Sequence, residues 1–328
     1  MNSKRFALRA LAAFTCTRGL NAFAQTPSPN ALPKGPITLV VPFAAGGATD
    51  IVSRLVAKKV TDKTGVSIVI ENIGGGGGVV GAQKVARAPK DGSVLLMGTV
   101  STHAINPIAR GYSTYHPLKD FTPLTMVSTS PSVLVAHPRV PANTVRALID
   151  LAKARPGQLN FAIGAMGSSL HLAGDAFKMK AGVYIVNIPY RGTAPAVQDV
   201  LAGQVELMFA AVGNVQQHIR AGKLKALGVT SASRLPALPD VPAIAETLPG
   251  YESSAWFGLF GPAHMPAELT RRLSEAARAA VQSPEVRRRI EHEGATPVGN
   301  SPEAFAKFVE SEIHRWGAVV RYAGAKPE

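Results

Sequence analysis

The sequence predicts an α/β protein made of two domains, each a mostly parallel sheet covered by helices on both faces. Three observations carry that expectation. Short β-branched or apolar runs alternate with stretches of helical periodicity along most of the chain. The 328 residues are 46% apolar and 17% charged, enough to bury two cores of ordinary size and too apolar for a disordered chain. After Thr230 the chain turns proline-rich (Pro236, Pro239, Pro242, Pro249) and ends in helical stretches, as expected of a chain that crosses back to complete its first domain. The implied boundaries are 34–126 plus 233–328 for domain 1 and 127–232 for domain 2.

Residues 1–24 have a basic start, an uncharged apolar stretch from Ala10 to Thr17 and a small-x-small junction, Ala22-Phe23-Ala24, before Gln25. This is the pattern of a secretory signal peptide. Lys4, Arg5, Arg9 and Arg18 without an acid would also suit an organellar transit peptide. The Pro/Ser linker that follows, 25–33, favours secretion and a periplasmic location. Cys16 is the one cysteine, so no disulfide framework or thiolate zinc site can form, and cleavage leaves a chain without thiols, as an oxidising compartment permits.

The strand candidates are 37–41, 67–71, 93–98, 132–137, 159–163, 183–188, 205–210 and 225–230. Between them, Ile51, Val52, Leu55, Val56 and Val60 mark one helix face, and Val145, Leu148, Ile149 and Ala152 another. Further helices are expected over 266–282, 283–293 and 302–322.

Several functions are excluded or disfavoured. The longest uncharged runs, 92–109 and 121–138, are broken by Ser, Thr, His, Asn and Pro, so no membrane span is expected. The net charge of +14 sits partly in helical runs such as Arg287-Arg288-Arg289 without interleaved aromatics, so no nucleic-acid partner is expected. A formal GxGxxG at Gly76, Gly78 and Gly81 lacks the acidic residue about 20 positions on that a dinucleotide ribose needs. That glycine run is expected instead to let a loop pass close to a ligand cleft or to the other domain. No GxxxxGK[ST], HExxH or GxSxG occurs, and the eight histidines show no metal spacing, so neither cofactor nor metal is expected. His171 suits a packing role near a helix cap better than a general base.

Three strand-to-helix junctions could hold an anion. In VPFAAGGATD (41–50), Gly46 and Gly47 let the backbone turn closely, and Thr49 or Asp50 would cap the helix. In IGAMGSSLH (163–171), Gly164 and Gly167 precede hydroxyls at Ser168 and Ser169. In PYRGTAPAVQDV (189–200), Gly192 and Thr193 precede Pro195 in the first turn of a helix that Gly203 ends. Arg191 is either a carboxylate clamp or a solvated loop arginine. Helix N-termini converging on one guest offer directional donors and partial positive charge. Four charge-assisted hydrogen bonds at roughly 1.5–3 kcal/mol each give about 6–12, against about 8 for micromolar affinity.

The ordered set VPFAAGGATD, GVVGAQKVARAPKDGSVLLMGTVSTHAINP, KDFTPLTMV, LAKARPGQLNFA, HLAGDAFK, IPYRGTAPAVQDVLAGQVELMF, DVPAIAE and AWFGLFGPAHMP resembles the Bug family, solute-binding receptors of the tripartite tricarboxylate transporter type. The resemblance implies a bilobed periplasmic-binding-protein-like fold, two doubly wound α/β domains joined by a hinge. It implies a non-enzymatic monomer that closes on a small carboxylate and delivers it to integral membrane transporter subunits or a sensor. The implied ligand-binding residues are Phe43, Ala44, Gly46, Gly47, Ala48, Thr49 and Asp50 from the first junction, Gly167 and Ser168 from the second, and Tyr190, Gly192, Thr193, Ala194 and Pro195 from the third. Trp256 either joins them or fills interdomain core. Where the family has a Ser-rich, Asn-containing stretch, this chain has Ile163-Gly164-Ala165-Met166, which implies a less polar ligand or bonds from Gly167 and Ser168 alone. A secreted hydrolase or isomerase acting on a small carboxylate in the same cleft is the class-distinct alternative.

Overall fold

The computed structural model describes residues 32–33, 35–112, 114–164, 168–292 and 294–324. The leader and most of the linker lie outside the described residues, as does Gly167.

The first lobe begins with β1 (Ile37–Val41), β2 (Ile68–Asn72) and β3 (Val94–Thr99), paired in parallel in the order β2-β1-β3. Helices α1 (Ala48–Thr64) and α2 (Val79–Ala86) make the crossovers. The apolar stripe expected on α1 is there: Val52, Val56 and Val60 are buried, and Gly65 ends the helix in the left-handed conformation. One π-turn (101–105) and a short helix, α3 (Asn106–Ala109), follow β3.

The 16-residue β4 (Phe121–Ala136) joins the lobes. Its first part, to Pro131, pairs antiparallel with β9 (Ser254–Pro262), which in turn pairs antiparallel with β3. From Ser132 onward it pairs antiparallel with β7 (Leu207–Ala211) and β8 (Lys225–Val229). In the second lobe β7 lies parallel to β5 (Asn160–Ile163), and β5 to β6 (Val186–Pro189). Among the described residues the result, with the two-residue β10 (Thr296–Pro297) paired antiparallel to β4, is one ten-stranded sheet with antiparallel strands at its centre, where mostly parallel strands were expected. Part of the reason is that β9 and the first part of β4 were not among the strand candidates; the rest is that the expected strand at 132–137 runs against β7 and β8.

Strand direction fixes which edges face each other. Two antiparallel steps, β3 to β9 and β9 to β4, make β4 run the same way as β1 and β3. Strands β5, β6 and β7 run opposite to β4. Because β4 leads from the first lobe into the second, the carboxyl ends of β1 and β3 point toward the second lobe, and those of β5, β6 and β7 point back.

The remaining helices cover both faces: α4 (Val145–Ala154), α5 (Ser169–Ala181), α6 (Thr193–Ala202) and α7 (Val212–Arg220) in the second lobe, α8 (Ala267–Val281) and α9 (Pro284–His292) on the first. A 22-residue helix, α10 (Pro302–Ala323), buries Phe305, Val309, Glu312, Trp316 and Val320, a stripe at helical spacing, and lies against the 101–109 turn, β4 and α5. One apolar cluster therefore runs continuously through both lobes on the α10 side. On the opposite face two separate clusters form, one under α1, α8 and α9, the other under α6, α7 and Leu235–Ala243. The two chain crossings meet side by side. Ser132 N–H donates to Thr230 Oγ1 (2.8 Å), Thr230 N–H to the Ser132 carbonyl (2.8 Å), and Ser253 N–H to the Thr230 carbonyl (2.9 Å). Among the described residues no helix is long and apolar enough to cross a membrane.

Candidate functional site

The first junction starts at the carboxyl end of β1. Gly46 has φ +82°, a left-handed conformation that an L side chain resists, whereas Gly47 is extended at φ −78° and caps α1 itself. Neither Thr49 nor Asp50 is the cap. Asp50 sits in the first turn and reaches back: its Oδ2 accepts from Gly46 N–H (2.9 Å) and Arg54 Nε (2.9 Å), and its Oδ1 from Asn72 Nδ2 (3.0 Å). The Arg54 guanidinium above all, then the Gly46 amide and Asn72, hold its carboxyl down at about 2 against the opposing effect of burial. Asn72, at the end of β2, also donates to the Phe43 carbonyl (3.1 Å). Asp50 thus acts as an internal clamp on the 43–47 loop, with both oxygens occupied, and Thr49 is buried beside it. Ala44, Gly46, Gly47 and Ala48 are exposed, and Phe43 is half-buried. Because Gly47 brings no side-chain acceptor, the amides opening α1 have no cap.

The glycine run packs beside this loop. A Cβ on Gly78 would come within 3.2 Å of the Phe43 ring and 2.7 Å of Thr102, so the close passage expected of the run is to Phe43 and the 101–106 turn.

The second and third junctions touch one another. Tyr190 N–H donates to the Ile163 carbonyl (2.8 Å) and Gly192 N–H to the Gly164 carbonyl (2.9 Å). A Cβ on Gly164 would stand 2.9 Å from Thr193 Cα, so glycine there lets the two loops close on each other. Ser168 caps α5, its Oγ accepting from His171 N–H (3.2 Å). Gly192, at φ +123°, caps α6 with no side-chain acceptor, leaving the Thr193 and Ala194 amides uncapped, and Pro195 follows in the first turn. Gly203 ends α6 at φ +73°, as the sequence indicated. The half-buried Tyr190 donates its hydroxyl to Asp199 Oδ2 (2.7 Å); burial first, then Asp199, push the phenol up to about 12 and keep it neutral. Arg191 is exposed and makes no ion pair among the described residues. A groove of about 400 Å³ lined by Thr193, Ala194, Gln198, Asn214 and His218 lies beside the start of α6.

Trp256 is interior. It is fully buried, edge-on to Phe305 and Phe308, with its indole donating to Glu312 Oε2 (2.9 Å). Two partners of the candidate site carried no signal in the sequence: Asn72, 22 positions from Asp50, and Asn187, which joins β6 to α5 through Asp175. Among the described residues no group of three or more His, Cys, Asp or Glu is placed to hold a metal.

Known proteins with the same design give this arrangement a context. BugT of Bordetella pertussis is 37% identical over 332 aligned positions, covering 99% of each chain. The R. palustris protein Rpa4515, solved with adipate, is 36% identical with a TM-score of 0.74, covering 91% of this chain and 100% of its own. MatC of Rhodopseudomonas palustris, solved with bound malate, is 34% identical with a TM-score of 0.70, covering 88% and 99%. Residues 52–325 match the model of the tripartite tricarboxylate transporter family receptor, and the chain belongs to that family.

Proposed function

We propose that this chain is a periplasmic solute-binding protein that captures a small organic carboxylate between its lobes and presents it, unchanged, to integral membrane transporter subunits or a sensor. The observation that carries this reading is the opposition of the strand ends. Strands β1 and β3 point toward the second lobe and β5, β6 and β7 toward the first, so the uncapped amides opening α1 and α6 lie at facing edges. Main-chain donors at helix starts suit a carboxylate, which accepts several N–H bonds without requiring a buried cation. Adipate in Rpa4515 and malate in MatC support the ligand class.

In this reading the ligand meets Phe43, Ala44, Gly46, Gly47 and Ala48 on one side and Gly167, Ser168, Tyr190, Gly192, Thr193, Ala194 and Pro195 on the other. Thr49 and Asp50 serve by shaping the first loop. The lobes turn about the crossing at Ser132, Thr230 and Ser253, while the α10 side stays packed. The leader and the family's receptor role support the periplasm, and the protein works as a monomer. Native mass spectrometry of the gently purified protein tests this, followed by thermal shift with adipate and malate. The expected result is a co-purified acid, a raised Tm and quantitative return of the added compound. Chemical conversion of the compound would overturn the receptor reading, and the absence of any bound acid or shift would overturn the ligand class.

A further inference from the structure

Behind the loops of the second lobe lies a buried polar cluster that binding alone does not require. Helix α5 turns His171, Asp175 and Lys178 inward at side-chain exposures of 5%, 4% and 10%. Opposite them, Asn187 projects from β6. Lys178 Nζ stands 2.6 Å from Asp175 Oδ1 and donates to Asn187 Oδ1 (3.1 Å). An ammonium can only donate, so this contact fixes the Asn187 amide with its nitrogen turned the other way. That nitrogen donates to Asp175 Oδ1 (3.1 Å) and lies 3.0 Å from His171 Nε2, and the same Nε2 lies 3.2 Å from Asp175 Oδ2.

His171 Nε2 therefore faces a donor and an acceptor at once. In the neutral Nδ1–H tautomer the bare Nε2 accepts from Asn187, and in the imidazolium Nε2–H donates to Asp175. The cluster is also wired to both loops. His171 N–H donates to the cap Ser168, and Asn187 precedes by three residues the Tyr190 N–H that bonds Ile163. Burying three ionisable groups is costly, and apolar residues of equal volume would pack as well, so stability does not account for them.

We propose that the His171–Asp175–Lys178–Asn187 cluster is a proton-linked positioning device: protonating His171 shifts its Nε2 from Asn187 to Asp175 and places a positive charge in the first turn of α5, coupling anion capture to proton uptake. The inference rests on the reading of the Ser168 and Gly192 loops as anion-holding. Burial, more than any neighbour, pulls the imidazole below its ordinary 6.5; Asp175 opposes this and Lys178 adds to it. Among the described residues, the buried or half-buried charged groups on the other elements packed on α5 are paired elsewhere. Strands β5, β7 and β9 contribute no ionisable side chain, Tyr251 donates its neutral hydroxyl to the Ala173 carbonyl, and on α10 Glu312 is engaged with Trp256, Trp316 and Arg315, while Arg315 also holds Glu252. His171 is thus neutral at pH 7, and the coupling acts as pH falls below 6.5. By reciprocity, a bound anion raises the affinity of His171 for its proton.

Titration calorimetry of adipate and malate on the full chain, from pH 7.5 to 5.5, compares wild type with His171→Gln. The variant keeps a side chain able to bond Asn187 and removes the titration, so acid–base changes of the ligand cancel in the comparison. The expected result is an affinity gain toward pH 5.5 about fivefold larger in wild type than in the variant, on the scale of one added charge near an anion. Buffer-dependent proton uptake should be greater in wild type than in the variant, whose linked protons are those of the ligand. The assigned His171 ring resonances, followed by NMR in wild type with and without adipate, give a second reading that needs no variant; their midpoint should rise with ligand. Equal pH slopes, or an unmoved midpoint, overturn the inference while leaving carboxylate capture intact. Failure of both acids to bind at every pH overturns the carboxylate reading and this inference with it.

Discussion

Replacing Asp50 by Asn separates a loop clamp from a ligand contact. In the folded protein the carboxyl is held at about 2 against an ordinary 3.8, chiefly by Arg54. At about 1.4 kcal/mol per unit that difference corresponds to about 2.5 kcal/mol of preference for the charged form in the native state. Arg54 is 54% exposed, so solvent screening reduces the figure, and a loss of about 1–2 kcal/mol is expected for D50N at pH 7. The sign follows from the depressed value: this stability is fully present above pH 3.8 and is lost as pH falls through about 2. Urea denaturation should therefore show wild type and variant apart at pH 7, converging below pH 4. Adipate calorimetry supplies the second arm. An amide offers one acceptor oxygen where the carboxylate offers two, so it cannot hold both Gly46 N–H and Asn72 Nδ2; the 43–47 loop loosens and affinity should fall several-fold. A carboxylate touching an anionic ligand would repel it, and its removal would strengthen binding. A variant as stable as wild type at pH 7 that binds adipate more tightly would refute the clamp.

Other expectations concern glycines and a buried histidine. Gly47→Ala should fold normally, since its nearest neighbour would be the Ala44 carbonyl oxygen at 3.6 Å, whereas Gly46→Ala at φ +82° should lose roughly 1 kcal/mol in chemical denaturation. Gly47→Leu should keep the wild-type Tm and lose adipate binding; retained affinity would remove this loop from the site. Gly164→Ala would press on Thr193 from 2.9 Å, so the second-lobe loops should separate and adipate affinity fall at least about tenfold, a change in the dissociation rate more than the association rate. His103, stacked on Phe260 at 3.8 Å, is held neutral by burial down to about 3. The unfolded chain takes up its proton near 6.5, so native stability is lost as pH falls from 6.5 toward 3, by up to about 5 kcal/mol. His103→Phe should flatten that limb of the acid-denaturation profile, and parallel profiles would contradict the assignment.

The strands that the sequence makes visible are short runs rich in β-branched or apolar residues between helical stretches, β1, β2, β3 and β5 through β8. Strand β9 is hidden because Gly258 and Gly261 interrupt its pattern. A Cβ at either position would collide with Phe305 or Met265, so these glycines are packing requirements of α10 and of the loop before α8. The first part of β4 hides behind Pro123 and the polar Thr122, Thr125, Ser128 and Thr129 for a similar reason: it pairs with β9 and carries Thr125, whose hydroxyl is spent on the Asn300 carbonyl, 175 residues away. Contacts of that separation leave no local trace. The same holds for Asn72 with Asp50, for Asn187 with His171, and for Glu312, which accepts from both Trp256 and Trp316 and is indistinguishable in sequence from its solvent-facing neighbours on α10.

The residues proposed for the site stand out in the sequence more plainly than the core around them, and the proposed chemistry explains why. Donors drawn from the main chain have no residue identity, so a sequence announces them only through the residues that free the backbone. Those are the glycine at φ +82° before α1, the extended Gly47, and Gly192 at φ +123° before α6. A glycine cap is a weaker cap than Ser or Asp for the helix alone by a few tenths of a kcal/mol. At α4, α5 and α10 the chain uses Thr144, Ser168 and Ser301, whose side chains accept from the third residue of the helix. It supplies no such acceptor at α1 and α6, as also at α2, α7 and α8, and α1 and α6 stand at sheet edges that face each other. An acceptor that the protein does not supply is one that a carboxylate can.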